Sequence, residues 1–254
     1  MALESWQVET IEWEERDNAR FARQFTAPLL SRAIGPPSAG GAVLSVGCGV
    51  GSDVETLAGL GWDAHGVEPG FRVAGWERRS CPERLHATDG RALPFPDGRF
   101  DAVTSYGVIE HVGAVGDSVE VHPDVWEARE RFAREVARVV RPGGAIVLST
   151  PNKRFPADFF HSTNRFGVRW HSPAEDFSVS FGELRRLFVE EAGCRAIRHL
   201  GLHRAFVFRR SREHAWGRAL APVAEVAFRA LGTRAMQPVA RSPLNPFLMV
   251  LVTR

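Results

Sequence analysis

Ala42-Val43-Leu44-Ser45-Val46-Gly47-Cys48-Gly49-Val50-Gly51, continued by a helical stretch from about Ser52 to Leu60, is the segment that decides the fold. A short apolar, β-branched run breaks into glycines, and the chain then turns to helical spacing. The order is strand, glycine-rich turn, helix. Glycines allow the tight turn and let a ligand approach the backbone, while the helix that follows offers free N–H groups.

The alternation continues outward. The pattern predicts strands at Ala64 to Val67, weakly at Leu85 to Ala87, at Phe100 to Ser105, at Ala145 to Ser149, near 195–201 and at Phe247 to Val252. Helices are expected over 10–33, 71–79, Pro123 to Val140, 181–192 and 215–231, with Gly35-Pro36-Pro37 and Arg141-Pro142-Gly143-Gly144 as stops. Repeated βα units with short turns predict a doubly wound α/β sheet. The whole of 1–254 is expected to be one domain: a helical cap at 1–38, a cofactor-binding core at 40–150, and insertions at 152–179 and 203–246 that shape the acceptor site.

Composition narrows the class. The 254 residues are 44% hydrophobic and 24% charged with a net charge of +2, which excludes collagen, coiled coil and a disordered tail. Lys153 is the single lysine among 32 basic residues, a compositional bias rather than a nucleic-acid signature, since 30 acids nearly cancel the charge. Cys48, Cys81 and Cys194 are odd in number and far apart, which argues against a disulfide framework or a zinc knuckle and for a reducing cytoplasm. No leader or membrane span is expected.

Chemistry gathers at strand ends. A dinucleotide loop would want glycine at position 52, but Ser52 stands there and the third glycine is Gly51, so the pattern is G-x-G-x-G. Glu68, closing the second strand, can accept both hydrogen bonds of a ribose diol, and Asp89 can accept from an adenine amine. Cys48 has no base beside it in sequence and carries little promise as a thiol nucleophile. The alternatives are a purely structural turn for the glycines and ordinary strand-end or capping acids for Glu68 and Asp89.

Together these stretches resemble the class I S-adenosylmethionine-dependent methyltransferases, and within them the ubiquinone-pathway group. The resemblance is carried by Val43 to Gly51, Gly66-Val67-Glu68-Pro69, Asp89-Gly90-Arg91-Ala92-Leu93-Pro94-Phe95, Phe100-Asp101-Ala102-Val103, Ile109-Glu110-His111-Val112 and Val139-Val140-Arg141-Pro142-Gly143-Gly144. It covers about 40–200. It implies a Rossmann-like, seven-stranded sheet, mostly parallel with an antiparallel last strand. It also implies methionine over Gly47, Cys48, Gly49 and Gly51 with Asp53 in support, ribose at Glu68 and Pro69, and adenine beside Asp89 and Gly90. Tyr106, the only tyrosine, is expected at the cofactor edge.

Some relatives read E-x-x-E-H after the fourth strand and bind a divalent metal there with a later histidine. Here Glu110 and His111 match, but Gly107 replaces the first acid. His171 lies about where the later histidine would fall, with His161 as second choice. Three roles compete for His111, perhaps with Glu110's help: a base or acceptor-positioning group, a metal ligand, or a structural histidine. Metal-independent methyl transfer to a small-molecule hydroxyl is the expectation, with S-adenosylhomocysteine as product. A nucleic-acid methyltransferase and a non-catalytic S-adenosylmethionine-binding partner are the rivals.

Phe155, Phe159, Phe160, Phe166 and Trp170 either wall an apolar acceptor pocket or form a satellite core. Residues 203–231 mix Arg204, Arg209, Arg210, Arg212, Arg218 and Arg229 with Trp216, Leu220, Val223, Val226, Phe228 and Leu231. This basic amphipathic stretch suits a lid or dimer face before a peripheral membrane contact. Oligomeric state and the identity of the acceptor are not encoded in any motif.

Overall fold

The computed structural model describes residues 3–37, 40–161, 168–200 and 215–254, without the side chains of 216 and 217. The expectations on Phe166, Arg204, Arg209, Arg210, Arg212 and the Trp216 side chain therefore lie outside the described residues. Two compact units share the chain: Met1–Ser105 with Arg131–Val147 and Thr253–Arg254, and Tyr106–Glu130 with Leu148–Val252.

The central sheet is the doubly wound, Rossmann-like one that the alternation predicts. Its strands are β1 (Ala42–Val46), β2 (Asp63–Val67), β3 (Leu85–His86), β4 (Phe100–Tyr106), β5 (Val140–Pro151), β8 (Ala196–His199) and β9 (Phe247–Thr253), in the order β3-β2-β1-β4-β5-β9-β8. It is mostly parallel with an antiparallel close. β1 is buried along its whole length, as an apolar run at the middle of a parallel sheet must be. It pairs in parallel with β2 (Val43 opposite Ala64) and with β4 (Val43 opposite Ala102). Strand order therefore reverses at β1, the switch point where open α/β sheets bind ligands.

In the first unit, the helix expected over 10–33 is α1 (Ser5–Phe21), a widened π turn (Ala22–Thr26) and α2 (Ala27–Ile34). Pro28, in the first turn of α2, has no N–H to give, and the ladder is interrupted just before it. After β1 comes α3 (Ser52–Gly59). The α-helix expected at 71–79 is a 3-10 helix instead, Phe71–Arg78. Gly75 within it packs so closely on Val50 that a Cβ would lie 3.1 Å from the valine side chain. Arg141 to Gly144, expected as a stop, lies within β5, because the chain end gives it partners: Gly143 N donates to Arg254 O (2.9 Å) and Arg254 N to Gly144 O (3.1 Å).

The second unit contains a hairpin that the sequence reading lacks. β6 (Ala157–Asp158) pairs antiparallel with β7 (Arg169–Trp170). α4 (Val125–Val139) begins here and ends in the first unit. α5 (Phe181–Arg185) starts at a capping box: Ser180 Oγ accepts from Glu183 N (3.2 Å) and Ser180 N donates to Glu183 Oε2 (2.7 Å). A π turn (Arg186–Glu191) extends it. α6 (Ala215–Leu231) and α7 (Gln237–Ala240) precede β9. Along α6, Leu220, Val223 and Val226 are exposed. No helix among the described residues is long and apolar enough to cross a membrane.

Candidate functional site

The glycine loop occupies the carboxyl end of β1. Gly47, Gly49 and Gly51 have φ of 75°, 54° and 76°, a left-handed backbone that favours glycine. Sterics agree at two of them: a Cβ on Gly51 would stand 2.7 Å from the Leu85 side chain, and one on Gly49 2.4 Å from Glu14 Oε2. The loop is fastened to β2 by Gly47 N and Cys48 N, which donate to Val67 O at 2.9 and 3.1 Å.

Glu68 is buried and faces this loop. Its Oε2 accepts from Gly49 N (3.3 Å) and its Oε1 from Gly70 N (2.9 Å). A carboxylate has about four acceptor positions, so two remain for a diol. Asp53 turns toward β1, its Oδ2 accepting the Ser45 hydroxyl at 2.6 Å, and desolvation pushes its carboxyl up to about 6. Asp89 is half-buried and already clasped by Arg91 through both oxygens (3.0 and 2.7 Å). Burial pushes its carboxyl up, but the Arg91 contacts outweigh this and hold it below its ordinary value. Gly90 is needed for packing, since a Cβ would sit 2.8 Å from Phe132 and 2.9 Å from Val46. Pro69 is exposed, and Cys48 is buried with its thiol pushed well up, chiefly by burial, so it is no nucleophile.

Three loop neighbours escape the sequence reading. Glu14 of α1 is buried, with Oε1 on Arg72 Nε (2.7 Å) and Oε2 without a hydrogen-bond partner; Trp76 Nε1 donates to Gly49 O (2.9 Å). The signal for Glu14 was its place three residues after Ile11, on the same buried helix face. The loop thus fits an amino-acid nucleoside ligand on two counts: a glycine-only cradle, and an orphaned carboxylate oxygen beside it.

The second unit assembles a separate cluster. His161 Nδ1 lies 2.8 Å from Asp158 Oδ2, and its Nε2 lies 3.1 Å from His111 Nε2. Asp158 is buried, with Oδ1 accepting from Phe160 N (2.8 Å) and His161 N (3.2 Å), and Oδ2 accepting from Arg169 Nη2 (3.1 Å). Burial would push its carboxyl up, but His161, the Phe160 amide and Arg169 outweigh this and hold it far below the carboxylate range. With Nδ1 turned to Asp158, Nε2 is the nitrogen that His161 presents to His111. Phe177 sets its ring edge-on to both imidazoles, with centroids 5.3 and 4.8 Å away.

Glu110 is 1% exposed, and its Oε2 has no hydrogen-bond partner; burial pushes its carboxyl up, with His161 opposing. Glu110, His111 and His161 offer ligand atoms that all lie within 4.8 Å of one another. The expectation that His171 would be the later histidine is corrected. His161 lies three residues after β6 and meets His111, whereas His171 follows β7, where its Nδ1 lies 3.3 Å from Glu175 Oε1. Trp170 is 74% exposed and belongs to no satellite core. Tyr106 closes β4, half-buried. Arg129, wholly buried and also absent from the sequence reading, ties the cluster together. It donates to the carbonyls of Ile109 (3.2 Å), Glu110 (3.1 Å), Asp176 (2.7 Å) and Phe177 (2.6 Å).

Residues 18–202 match the family model described as a methyltransferase domain. An uncharacterized methyltransferase of Mycobacterium sp. strain JLS is 35% identical over 146 residues, 54% of this chain and 52% of the relative. A Mycolicibacterium smegmatis protein named as an S-adenosylmethionine-dependent methyltransferase is 32% identical over 117 residues, 45% of this chain and 40% of the relative. The chain thus spans about half the length of the curated relatives it matches. Among solved structures, a protein assigned to methyl transfer in an antibiotic biosynthesis pathway of Anabaena variabilis aligns at TM-score 0.53 and 17% identity, over 90% of this chain and 96% of that one. The 1,6-didemethyltoxoflavin-N1-methyltransferase of Burkholderia thailandensis, solved with 1,6-didemethyltoxoflavin and S-adenosylhomocysteine, aligns at 0.52 and 16% identity, over 98% and 84%. At such identity the two structures speak for the fold.

Proposed function

The chain belongs to the class I S-adenosylmethionine-dependent methyltransferases, and on that premise we propose that it methylates a hydroxyl oxygen of a small-molecule acceptor. The observation that carries the reading is the Asp158–His161–His111 relay. When bound, S-adenosylmethionine supplies an electrophilic methyl group on a sulfonium, open to direct displacement. Gly47, Cys48, Gly49 and Gly51 cradle its amino-acid end, Asp53 braces that loop, Glu68 with Pro69 takes the ribose, and Asp89 with Gly90 borders the adenine. Tyr106 closes β4 beside them in sequence, as an edge group.

An alcohol is a poor nucleophile, so the residue contribution to rate is removal of its proton as the new bond forms. His111 receives that proton at Nδ1, since its Nε2 faces His161, and orients the acceptor. His161 stabilises the charge on His111 through Nε2, and Asp158 stabilises His161 through Nδ1, as an acid–histidine pair does in other general-base sites. Glu110, buried with a raised carboxyl, adds the polarity that holds His111 in place. The edge of Phe177 against both imidazoles keeps water from one side of the pair.

The test is turnover of methyl-labelled S-adenosylmethionine against a panel of phenols, alcohols and amines. Asp158→Asn is expected to lower kcat by about a hundredfold or more with hydroxyl acceptors. Unchanged kcat, or methylation of amines alone, refutes the hydroxyl assignment.

A second reading is favoured by one observation: two imidazole Nε2 atoms 3.1 Å apart, with an orphaned carboxylate oxygen in the same group, form a set suited to a divalent cation. Asp158 would then be the acid that orients a ligating histidine. EDTA separates the two. Turnover that survives it supports the metal-independent base, and loss that Mg²⁺ or Mn²⁺ restores supports the cation.

A further inference from the structure

The helix at the start of the chain brings to the glycine loop a carboxylate to which the cofactor assignment above gives no ligand atom. Glu14 is 7% exposed, its Oε1 is held by Arg72, and its Oε2 has no hydrogen-bond partner. That orphaned oxygen fills the space a side chain at position 49 would need. The Gly49 amide is meanwhile taken by Glu68 Oε2, and Ser52, which opens α3, donates its hydroxyl to Glu14 O at 3.2 Å. Two buried carboxylates therefore meet at one loop residue, fixed there from α1, β2 and α3.

A buried carboxylate oxygen left unpaired is costly unless a cation or donor reaches it. Burial pushes the Glu14 carboxyl up, Arg72 and the Val50 backbone amide pull it down, and the charge on Glu68 adds to the rise. The site is short of positive charge. The ligand implied by the family carries two cationic centres, a sulfonium and an α-ammonium. A carboxylate set against the sulfonium would stabilise the charge that methyl transfer removes, and so would raise the barrier. The α-ammonium is the same before and after transfer, and holding it costs nothing in rate.

We propose that Glu14 receives the α-ammonium of the cofactor's amino-acid end through Oε2. Glu14 is thus a binding residue supplied by the N-terminal helix, and it selects ligands with a free amino group. The proposal rests on the S-adenosylmethionine reading above.

Calorimetry with S-adenosylhomocysteine and with its analogue lacking the α-amino group tests it without turnover. The native protein is expected to bind the amino compound about tenfold to a hundredfold more tightly, the range for a charge-assisted hydrogen bond. Glu14→Gln keeps the shape and removes the charge. It is expected to lose most of that preference while binding the deamino analogue as the native protein does. Glu14→Asp keeps the charge, drawn back by one methylene, and is expected to retain part of the preference, which keeps the proposal testable where Glu14→Gln does not fold. The proposal is overturned by equal native affinity for the two ligands, by a preference that survives Glu14→Gln, by equal weakening of both ligands, or by no preference in a folded Glu14→Asp. A Glu14→Gln defect confined to S-adenosylmethionine and absent for S-adenosylhomocysteine would assign Glu14 to the sulfonium instead and likewise overturn it. A native protein that binds neither nucleoside refutes the cofactor reading itself.

Discussion

Arg129→Met is expected to destabilise the protein by about 3–5 kcal/mol and to loosen the histidine cluster. The guanidinium is wholly buried and donates to the carbonyls of Ile109, Glu110, Asp176 and Phe177. Each carbonyl left without a donor in the interior costs roughly 1–3 kcal/mol. Against this, methionine is relieved of burying a charge, a cost visible in Arg129 itself, whose pKa burial lowers to about 10. Four lost bonds near 2 kcal/mol each amount to about 8 kcal/mol, and a relief of about 3 kcal/mol for the shift from 12.5 to about 10 leaves about 5 kcal/mol, the usual size for breaking a buried charged network. That is a large share of a typical stability of 5–15 kcal/mol. Urea denaturation followed by tryptophan fluorescence measures it, with the shift in midpoint read at constant m. Arg129→Lys should recover only part of the loss, since an ammonium cannot match the planar fork. A midpoint within experimental scatter of the native protein would refute the claim that this one side chain joins 109–111 to 176–177.

Three further outcomes follow from the described contacts. Glu68→Ala should weaken S-adenosylhomocysteine binding about tenfold to a hundredfold, because a buried charge-assisted acceptor is lost; calorimetry showing unchanged affinity removes Glu68 from the ribose site. His199 is wholly buried, and burial lowers its pKa to about 4. The unfolded chain therefore binds the extra proton first, so stability is full above about 6.5 and falls as pH drops toward 4, by up to about 3 kcal/mol; His199→Gln should flatten that part of the stability–pH curve. Cys48, Cys81 and Cys194 are all buried thiols. A thiol reagent at pH 8 should label none in the folded state and three after denaturation, and rapid native labelling would contradict the packing around the loop.

Much of the first unit is legible in sequence because its signals are local. Ala42 to Val46, Gly47 to Gly51 and Ser52 onward fall where the apolar run, the glycines and the helical spacing place them, and the observed β1 has the expected bounds. The failures share a cause: the deciding partner is remote. The helix stops before Arg141 to Gly144 as expected, but that stretch also opens β5, beside the remote Arg254. β6 and β7 hold two residues each, too short for any period to register. His161 prevails over His171 because that hairpin turns one histidine toward His111 and leaves the other at Glu175. Arg129 was invisible for a further reason, since its partners are backbone carbonyls, which every sequence contains. Glu14 came nearest to being found, as an acid on an apolar helix face.

Gly107 has φ of 66°, and its N–H donates to Ser149 O at 3.0 Å. A Cβ there would meet nothing nearer than Glu110 Oε1 at 3.7 Å, so space is not the obstacle to the acid that stands at this point in metal-binding relatives. The backbone is. A single base change in a glycine codon yields aspartate or glutamate, yet either must take a left-handed conformation at about 1–2 kcal/mol. Aspartate tolerates that geometry better than glutamate. The mutational path from this chain to a two-carboxylate, two-histidine site is short in nucleotides and uphill in free energy, and its passable first step is Gly107→Asp.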